Sequence, residues 1–462
     1  MQATDSMQNT NKATRIQLFN FTTPQMRAFH MSWFAFFLCF FAWFGIAPLM
    51  TVIREEMHLT KDQIGWCLIG SVAITVFARL LIGKIVDRYG PRITYSYLLL
   101  FTSIPVMLIG LSTNFESFLF FRVLIGAIGA SFVLTQYHTT AMFAPNCVGT
   151  ANATTAGWGN LGGGVTHMVM PLIFAFFVSV LGFSTAAGWR LSMVVAGAVC
   201  ALTGIAYYFL TQDTPEGNYR ELRAAGKLQK NSAKGTFLEA CRDYRVWALF
   251  IVYGACFGVE LTMNNIAMLY FVDYFDAFKA MEPVHALEIA GLIAGSFGFM
   301  NIFARTLGGW FGDRLGNKWG LSGRVKWLFV VVFCEGLTLM LFSQMTTLLA
   351  AIPMLMIFSL FVQMSAGATF AVVPFINKRA MGSVSGIVGA GGNVGAVLGG
   401  FLFKSPELPW TSALLMMGVA VTVCAFTSFA VTFSPASESQ AKASLESALE
   451  ERRRLMETAT IS

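Results

Sequence analysis

Apolar runs of about twenty residues, parted by short polar breaks, recur along the whole chain. They predict helices at roughly 30–52, 63–85, 94–112, 116–138, 148–181 and 190–210, and again at roughly 246–275, 287–311, 325–345, 348–376, 383–403 and 410–432. Each is long enough to cross a hydrocarbon layer about 30 Å thick. A longer polar stretch divides them six and six. The expected organisation is an amino tail (1–28), a six-helix bundle (29–211), a basic linker (212–245), a second six-helix bundle (246–433) and a polar tail (434–462). The first apolar run is too long and too aromatic for a cleavable signal and reads as the first anchor.

The two groups are related. Residues 77–90 read FARLLIGKIVDRYG and residues 303–316 read FARTLGGWFGDRLG, identical at eight of fourteen positions. AGWGNLGGGV (156–165) and GAGGNVGAVL (389–398) share GN-hydrophobe-G around Asn160 and Asn393, and GASF (129–132) is echoed by GATF (367–370). The three pairs occur in the same order at similar offsets. Six helices, a basic loop and six related helices are expected of parallel repeats about an axis normal to a membrane.

Composition agrees: 56% of the 462 residues are hydrophobic and 12% charged, half the charge of an ordinary soluble chain. This is an all-α polytopic membrane protein. Its charge is distributed unevenly. With the amino end cytoplasmic, 23 of the 31 Lys and Arg fall in cytoplasmic tails and loops and five in outer loops. That bias predicts both termini inside. The eight cysteines are scattered and show neither metal spacing nor a disulfide framework. No metal or cofactor is expected, and no nucleic acid. No nucleophile–base pair appears, so the chain is not read as an enzyme. The absence of a nucleotide-binding loop excludes ATP-driven transport by this chain alone.

Three arginines remain inside apolar runs: Arg79, Arg122 and Arg305. Arg79 and Arg305 occupy equivalent repeat positions, each eight residues before an Asp-Arg pair, which is about 12 Å along a helix. A charge at that depth costs at least about 3 kcal/mol unless it faces a cavity or a partner. Neither helix offers a nearby carboxylate on the same face. Two guanidiniums facing one another repel unless an anion lies between them, and each presents a planar fork suited to a planar oxyanion. The alternative is structural pairing with Glu260 or Glu335; Glu335, on helix 9, is given no role. The glycine runs let helices approach closely, and Asn160 and Asn393 at their centres are candidates to donate hydrogen bonds to an anion or to facing backbone. Glu260 and His167 are candidates for proton coupling, each weighed against a packed, satisfied side chain.

Gly83-x3-Asp87-Arg88-x-Gly90-x-Arg92, with its echo through Gly309, Asp313, Arg314 and Gly316, resembles the loop signature of the major facilitator superfamily. The resemblance implies a major facilitator fold, with Asp87, Arg88, Asp313 and Arg314 as a cytoplasmic gate. Arg122 begins RVLIGAIG, similar to the arginine–glycine motif of helix 4 in proton-coupled members, so it too is a candidate for coupling or for structure. The paired glycine stretches resemble the nitrate signatures of the nitrate/nitrite porter family. QYHTTAMFAPNCVGTANATTAGWGNLGGGVTHMVMP (136–171), YGACFGVELT (253–262) and DTPEGN (213–218) are similar to the high-affinity nitrate transporters. This implies that Arg79 and Arg305 clamp nitrate, that Phe132, Tyr253 and Phe257 shape the pocket, and that Asn160 lies near the ligand. Phe370 joins them by repeat symmetry. In those relatives a non-ionisable residue commonly stands where this chain has His167.

The expected function is therefore a secondary transporter of nitrate, and of nitrite, in the cell membrane, serving assimilation by alternating access. Proton symport is favoured over nitrate/nitrite exchange, and a monomer in the bilayer is expected to suffice. A sensor would need a signalling domain for which the linker and tail are too short. A channel would not need a gate motif repeated on one side.

Overall fold

The computed structural model describes residues 12–143, 148–227, 236–377, 381–439 and 442. Among them no strand forms, and twelve helices are long and apolar enough to span a membrane. They are α1 (Pro24–Met57), α2 (Lys61–Tyr89), α3 (Pro91–Leu111), α4 (Phe115–Met142), α5 (Val148–Ala175), α6 (Thr185–Leu210), α7 (Tyr244–Tyr274), α8 (Pro283–Gly316), α9 (Lys318–Ser343), α10 (Leu348–Val372), α11 (Met381–Lys404) and α12 (Trp410–Ala430). Cys147 and most of the carboxyl-terminal tail lie outside the described residues.

Helix ends follow local chemistry. Thr23 caps α1 with Pro24 in its first turn, and Thr60 with Gln63 forms a capping box on α2. Two boundaries differ from expectation. The Asp-Arg pair at 87–88 lies in the last turn of α2 and the pair at 313–314 within α8, so neither is in a loop. Trp319 and Gly320, the latter with φ of 70°, kink the start of α9 just beyond the second pair, and the Glu438 carboxylate from the tail accepts the N–H groups of Leu321 and Ser322 there at 3.0 and 3.1 Å.

The linker is anchored by Asp213. Its buried carboxylate accepts the N–H of Arg92 in the first turn of α3 and that of Tyr219, which opens a short helix (Tyr219–Ala224), both at 2.8 Å. Gly90, with φ of 85°, passes so close that an added Cβ would strike this carboxylate. Burial pushes the Asp213 carboxyl above the ordinary aspartate range, against the opposing pull of the two N–H donors.

Within each group, α1 packs on α5, α3 on α6, α7 on α11, and α10 on α8 and α9. Between the groups, α2 packs on α11 and α5 on α8. The second contact is glycine on glycine: a Cβ added to Gly298 would lie 2.3 Å from the Gly164 Cα. The glycine runs are thus packing surfaces, which admit backbone-to-backbone approach where no side chain fits. At the end opposite the linker, Arg54 of α1 forms a bidentate pair with Asp273 of α7 at 2.5 and 3.0 Å. Lys404 of α11 meets Asp62 of α2 at 3.2 Å. Both pairs join the first group of six helices to the second.

Candidate anion-binding site

Arg79 and Arg305 are both buried, each 8% exposed, yet they are held differently. Arg79 Nε donates to the Gly129 carbonyl of α4 at 3.2 Å, and Nη1 to the Gly389 carbonyl of α11 at 3.0 Å. The guanidinium lies over the Phe132 ring, 5.4 Å from its centroid. Among the described residues no carboxylate pairs with it. Backbone dipoles and an aromatic face orient the group, and its positive charge is left for something else to neutralise.

Arg305 does have an acid, which corrects the expectation of two uncompensated cations. Its Nη2 donates to Glu260 Oε2 of α7 at 2.7 Å and to Gln363 Oε1 of α10 at 3.2 Å. With its amide oxygen turned to the guanidinium, Asn160 of α5 accepts from Nη2 at 3.0 Å and Nη1 at 2.6 Å. Glu260 is fully buried, and its second oxygen accepts from Asn301 Nδ2 at 3.2 Å. Asn301, four residues before Arg305 and across a break at Phe303, thus reaches the same carboxylate. Gln363 is admitted by Gly367, where an added Cβ would lie 2.0 Å from the Arg305 carbonyl oxygen. Arg305 Nε has no hydrogen-bond partner among the described residues. A buried pair satisfied on this side still offers a donor on the other.

Four aromatic rings connect the two arginines. Phe132 and Phe370, equivalent by the internal repeat, approach to 6.2 Å between centroids. Tyr253 stands edge-on to Phe370 at 5.0 Å and stacks on Phe257 at 5.1 Å, with Arg305 over the Phe257 ring at 5.8 Å. The two asparagines diverge in role. Asn160 reaches Arg305, whereas Asn393 Nδ2 turns back to the Gly389 carbonyl at 3.4 Å, the same oxygen that holds Arg79. Each arginine therefore reaches the glycine-rich helix of the opposite group: Arg79 from α2 to α11, Arg305 from α8 to α5.

The remaining candidates lie apart from these contacts. Arg122 Nη1 donates to the Trp43 carbonyl at 3.2 Å and Nη2 to Asn265 Oδ1 at 2.9 Å. His167 Nε2 meets the Asn264 carbonyl at 2.8 Å. Both thus tie α4 and α5 to consecutive residues of α7. His167 is not the sole buried imidazole: His138 is also fully buried, between the Tyr207 hydroxyl at 2.5 Å and the Gln212 carbonyl at 2.8 Å. Of the gate residues, Arg88 and Arg314 are exposed and lie over the rings of Tyr89 and Trp310 at 5.3 and 5.1 Å. The side chains of Asp87 and Asp313 lie outside the described ones. Glu260 was legible as an intramembrane acid and a possible arginine partner, but the sequence did not say which arginine it meets. Gln363 carried no signal beyond being a polar residue seven positions before Phe370, on the same helical face.

Comparison with known proteins places the chain in a family. The Major Facilitator Superfamily pattern matches residues 32–374. The chain is 39% identical to the high affinity nitrate transporter 2.5 of Arabidopsis thaliana, over 90% of this chain and 81% of that protein. It is 38% identical to the high-affinity nitrate transporter 2.3 of Oryza sativa subsp. japonica, over 89% and 79%. The nitrate/nitrite transporter NrtP of Nostoc punctiforme is 29% identical over 89% and 92%. Among solved structures, a bacterial homolog of the human lysosomal transporter Spinster, inward-facing and unoccupied, superposes with a TM-score of 0.65 at 16% identity, over 90% of this chain and 99% of that one, a likeness of fold alone. A chain with twelve spanning helices, paired internal repeats and this extent of identity belongs to the nitrate/nitrite porter family of the Major Facilitator Superfamily, a family of transporters and not of enzymes.

Proposed function

We propose that this protein takes up nitrate, and nitrite by the same site, through proton-coupled symport with alternating access. The names of its relatives supply the substrate, and the inequivalence of the two arginines supplies the coupling. The observation that carries the reading is the Glu260–Arg305 pair at 2.7 Å. Arg79 is a standing cation with neutral partners. Arg305 is a cation already claimed by an acid. A proton on Glu260 neutralises that claim, and nitrate then takes its place on Arg305 while Arg79 holds its other edge. Nitrate bound to both arginines favours the state in which the two six-helix halves close on it, which is the differential interaction that a population shift requires. On release, the proton leaves Glu260 and the acid recovers Arg305.

In this reading both termini are cytoplasmic, the chain works as a monomer in the cell membrane, and the protein serves nitrate assimilation. The Arg54–Asp273 and Lys404–Asp62 pairs hold the outer side shut, and the Asp87–Arg88 and Asp313–Arg314 segments gate the cytoplasmic side. Nitrite lacks one oxygen but keeps the charge and the flat edge that two forks grip, so discrimination by more than a few kcal/mol is not expected.

The test uses purified protein in liposomes, loaded with nitrite or with no anion, with and without an inward proton gradient. Symport requires nitrate entry that follows the gradient and needs no internal anion. Entry that needs internal nitrite and ignores the gradient makes the protein an exchanger. No entry of nitrate or nitrite in either condition, with the fold intact, removes the substrate assignment.

A further inference from the structure

Glu335 of α9 is fully buried, and neither of its carboxyl oxygens has a hydrogen-bond partner among the described residues. The Ser365 hydroxyl of α10 faces it without completing a bond. Two helices flank α9 here, α10 and α12. Neither contains a Lys, Arg, Asp, Glu or His, and Cys424 is their one titratable side chain. On α9 itself, Cys334 is adjacent, and Lys318, Arg324 and Lys326 are nine or more residues away toward the linker side. From α7, the groups within electrostatic reach are Cys256 and, one turn on, Glu260. Behind Glu260 is Arg305.

The charge arithmetic of this cluster is unusual. The cluster holds two buried carboxyls and one guanidinium, and Glu260 already takes that guanidinium at 2.7 Å. Ionised together they would leave one uncompensated negative charge in the helix bundle, which a low-dielectric interior disfavours. One proton divided between the two acids removes that charge, and acids so coupled exchange a proton as a pair.

We propose that Glu335 is the second station of the coupled proton, passing it to Glu260 when nitrate claims Arg305. This rests on the symport reading above. The step is balanced: the Glu335 acid gives its proton to the Glu260 carboxylate, becoming a carboxylate itself, and is reprotonated from the side on which nitrate entered. Glu260 later loses that proton to the side on which nitrate leaves. One proton then crosses for each proton that Glu260 accepts, and no other reactant is consumed.

The experiment compares wild type, Glu335→Gln and Glu335→Asp in proteoliposomes. It follows gradient-driven nitrate accumulation, proton movement on adding nitrate, and nitrate–nitrate counterflow, which needs no net proton transfer. The relay predicts that E335Q keeps counterflow but loses accumulation, nitrate-linked proton movement and the pH dependence of uptake, and that E335D restores part of all three. If E335Q still moves protons with nitrate, the relay is wrong and symport stands. If E335Q loses counterflow as well, Glu335 is a packing residue and the relay is wrong. If the wild type itself moves no protons with nitrate, the symport reading falls and takes the relay with it.

Discussion

Glu260→Gln separates the charge of the acid from its shape. The amide keeps the side chain's length and an oxygen that Arg305 Nη2, now 2.7 Å from Oε2, can still reach. A hydrogen bond between charged groups contributes about 1.5–3 kcal/mol and a neutral one about 0.5–1.5 kcal/mol. The amide therefore competes with nitrate for Arg305 less strongly by about 1–2 kcal/mol, or roughly 5- to 30-fold in affinity. With that oxygen on Arg305, the amide NH2 faces Asn301, whose Oδ1 has no partner among the described residues and accepts it once the Asn301 amide turns over, and Asn160 and Gln363 continue to hold the guanidinium. Titration calorimetry of nitrate into purified wild type and E260Q checks this. E260Q should bind nitrate more tightly than the wild type by that factor. In liposomes the same variant should lose gradient-driven accumulation. Weaker or unchanged nitrate binding by E260Q would show that Glu260 positions Arg305 rather than competing for it.

Other outcomes follow from the same geometry. Arg305→Lys replaces a fork that makes at least two charge-assisted contacts with a point charge, and nitrate affinity should fall by about 100-fold; calorimetry showing less than a tenfold loss would argue against a bidentate grip. Arg79→Lys gives up the Gly129 and Gly389 carbonyls that orient the guanidinium, so binding should be lost while thermal stability changes little. Gly298→Ala places a methyl 2.3 Å from the Gly164 Cα, and the overpacked α5–α8 contact should lower stability by about 1–3 kcal/mol and slow transport; an unchanged melting temperature and rate would contradict close packing there. Arg54→Ala removes a pair about a quarter exposed, worth roughly 1 kcal/mol or less after solvent screening. That still shifts a balanced equilibrium, so spin labels at His58 and Asp276 should report longer separations than in the parent protein, and an identical distance distribution would remove Arg54–Asp273 from the outer gate.

The sequence by itself determined the number of spanning helices, the division into six and six, and the two arginines. Each of these is local. A helix must carry about twenty apolar residues to cross hydrocarbon, and the repeat preserves identity at the positions that matter to both halves. Even the meeting of Phe132 with Phe370 followed from the repeat. The partners of those arginines were decided only by the tertiary structure. Glu260 lies 45 residues from Arg305, Gly389 lies 310 from Arg79, and Asp273 lies 219 from Arg54. Finding such pairs requires the rotation of each helix about its own axis. In a soluble bundle an apolar stripe reports that rotation. Here lipid makes the outer face as apolar as the core, so the stripe is erased, and rotation is fixed instead by which glycines let two backbones touch. That is why the sequence offered Glu260 and Glu335 alike as partners for Arg305, and only the rotation of α7 set Glu260 against it.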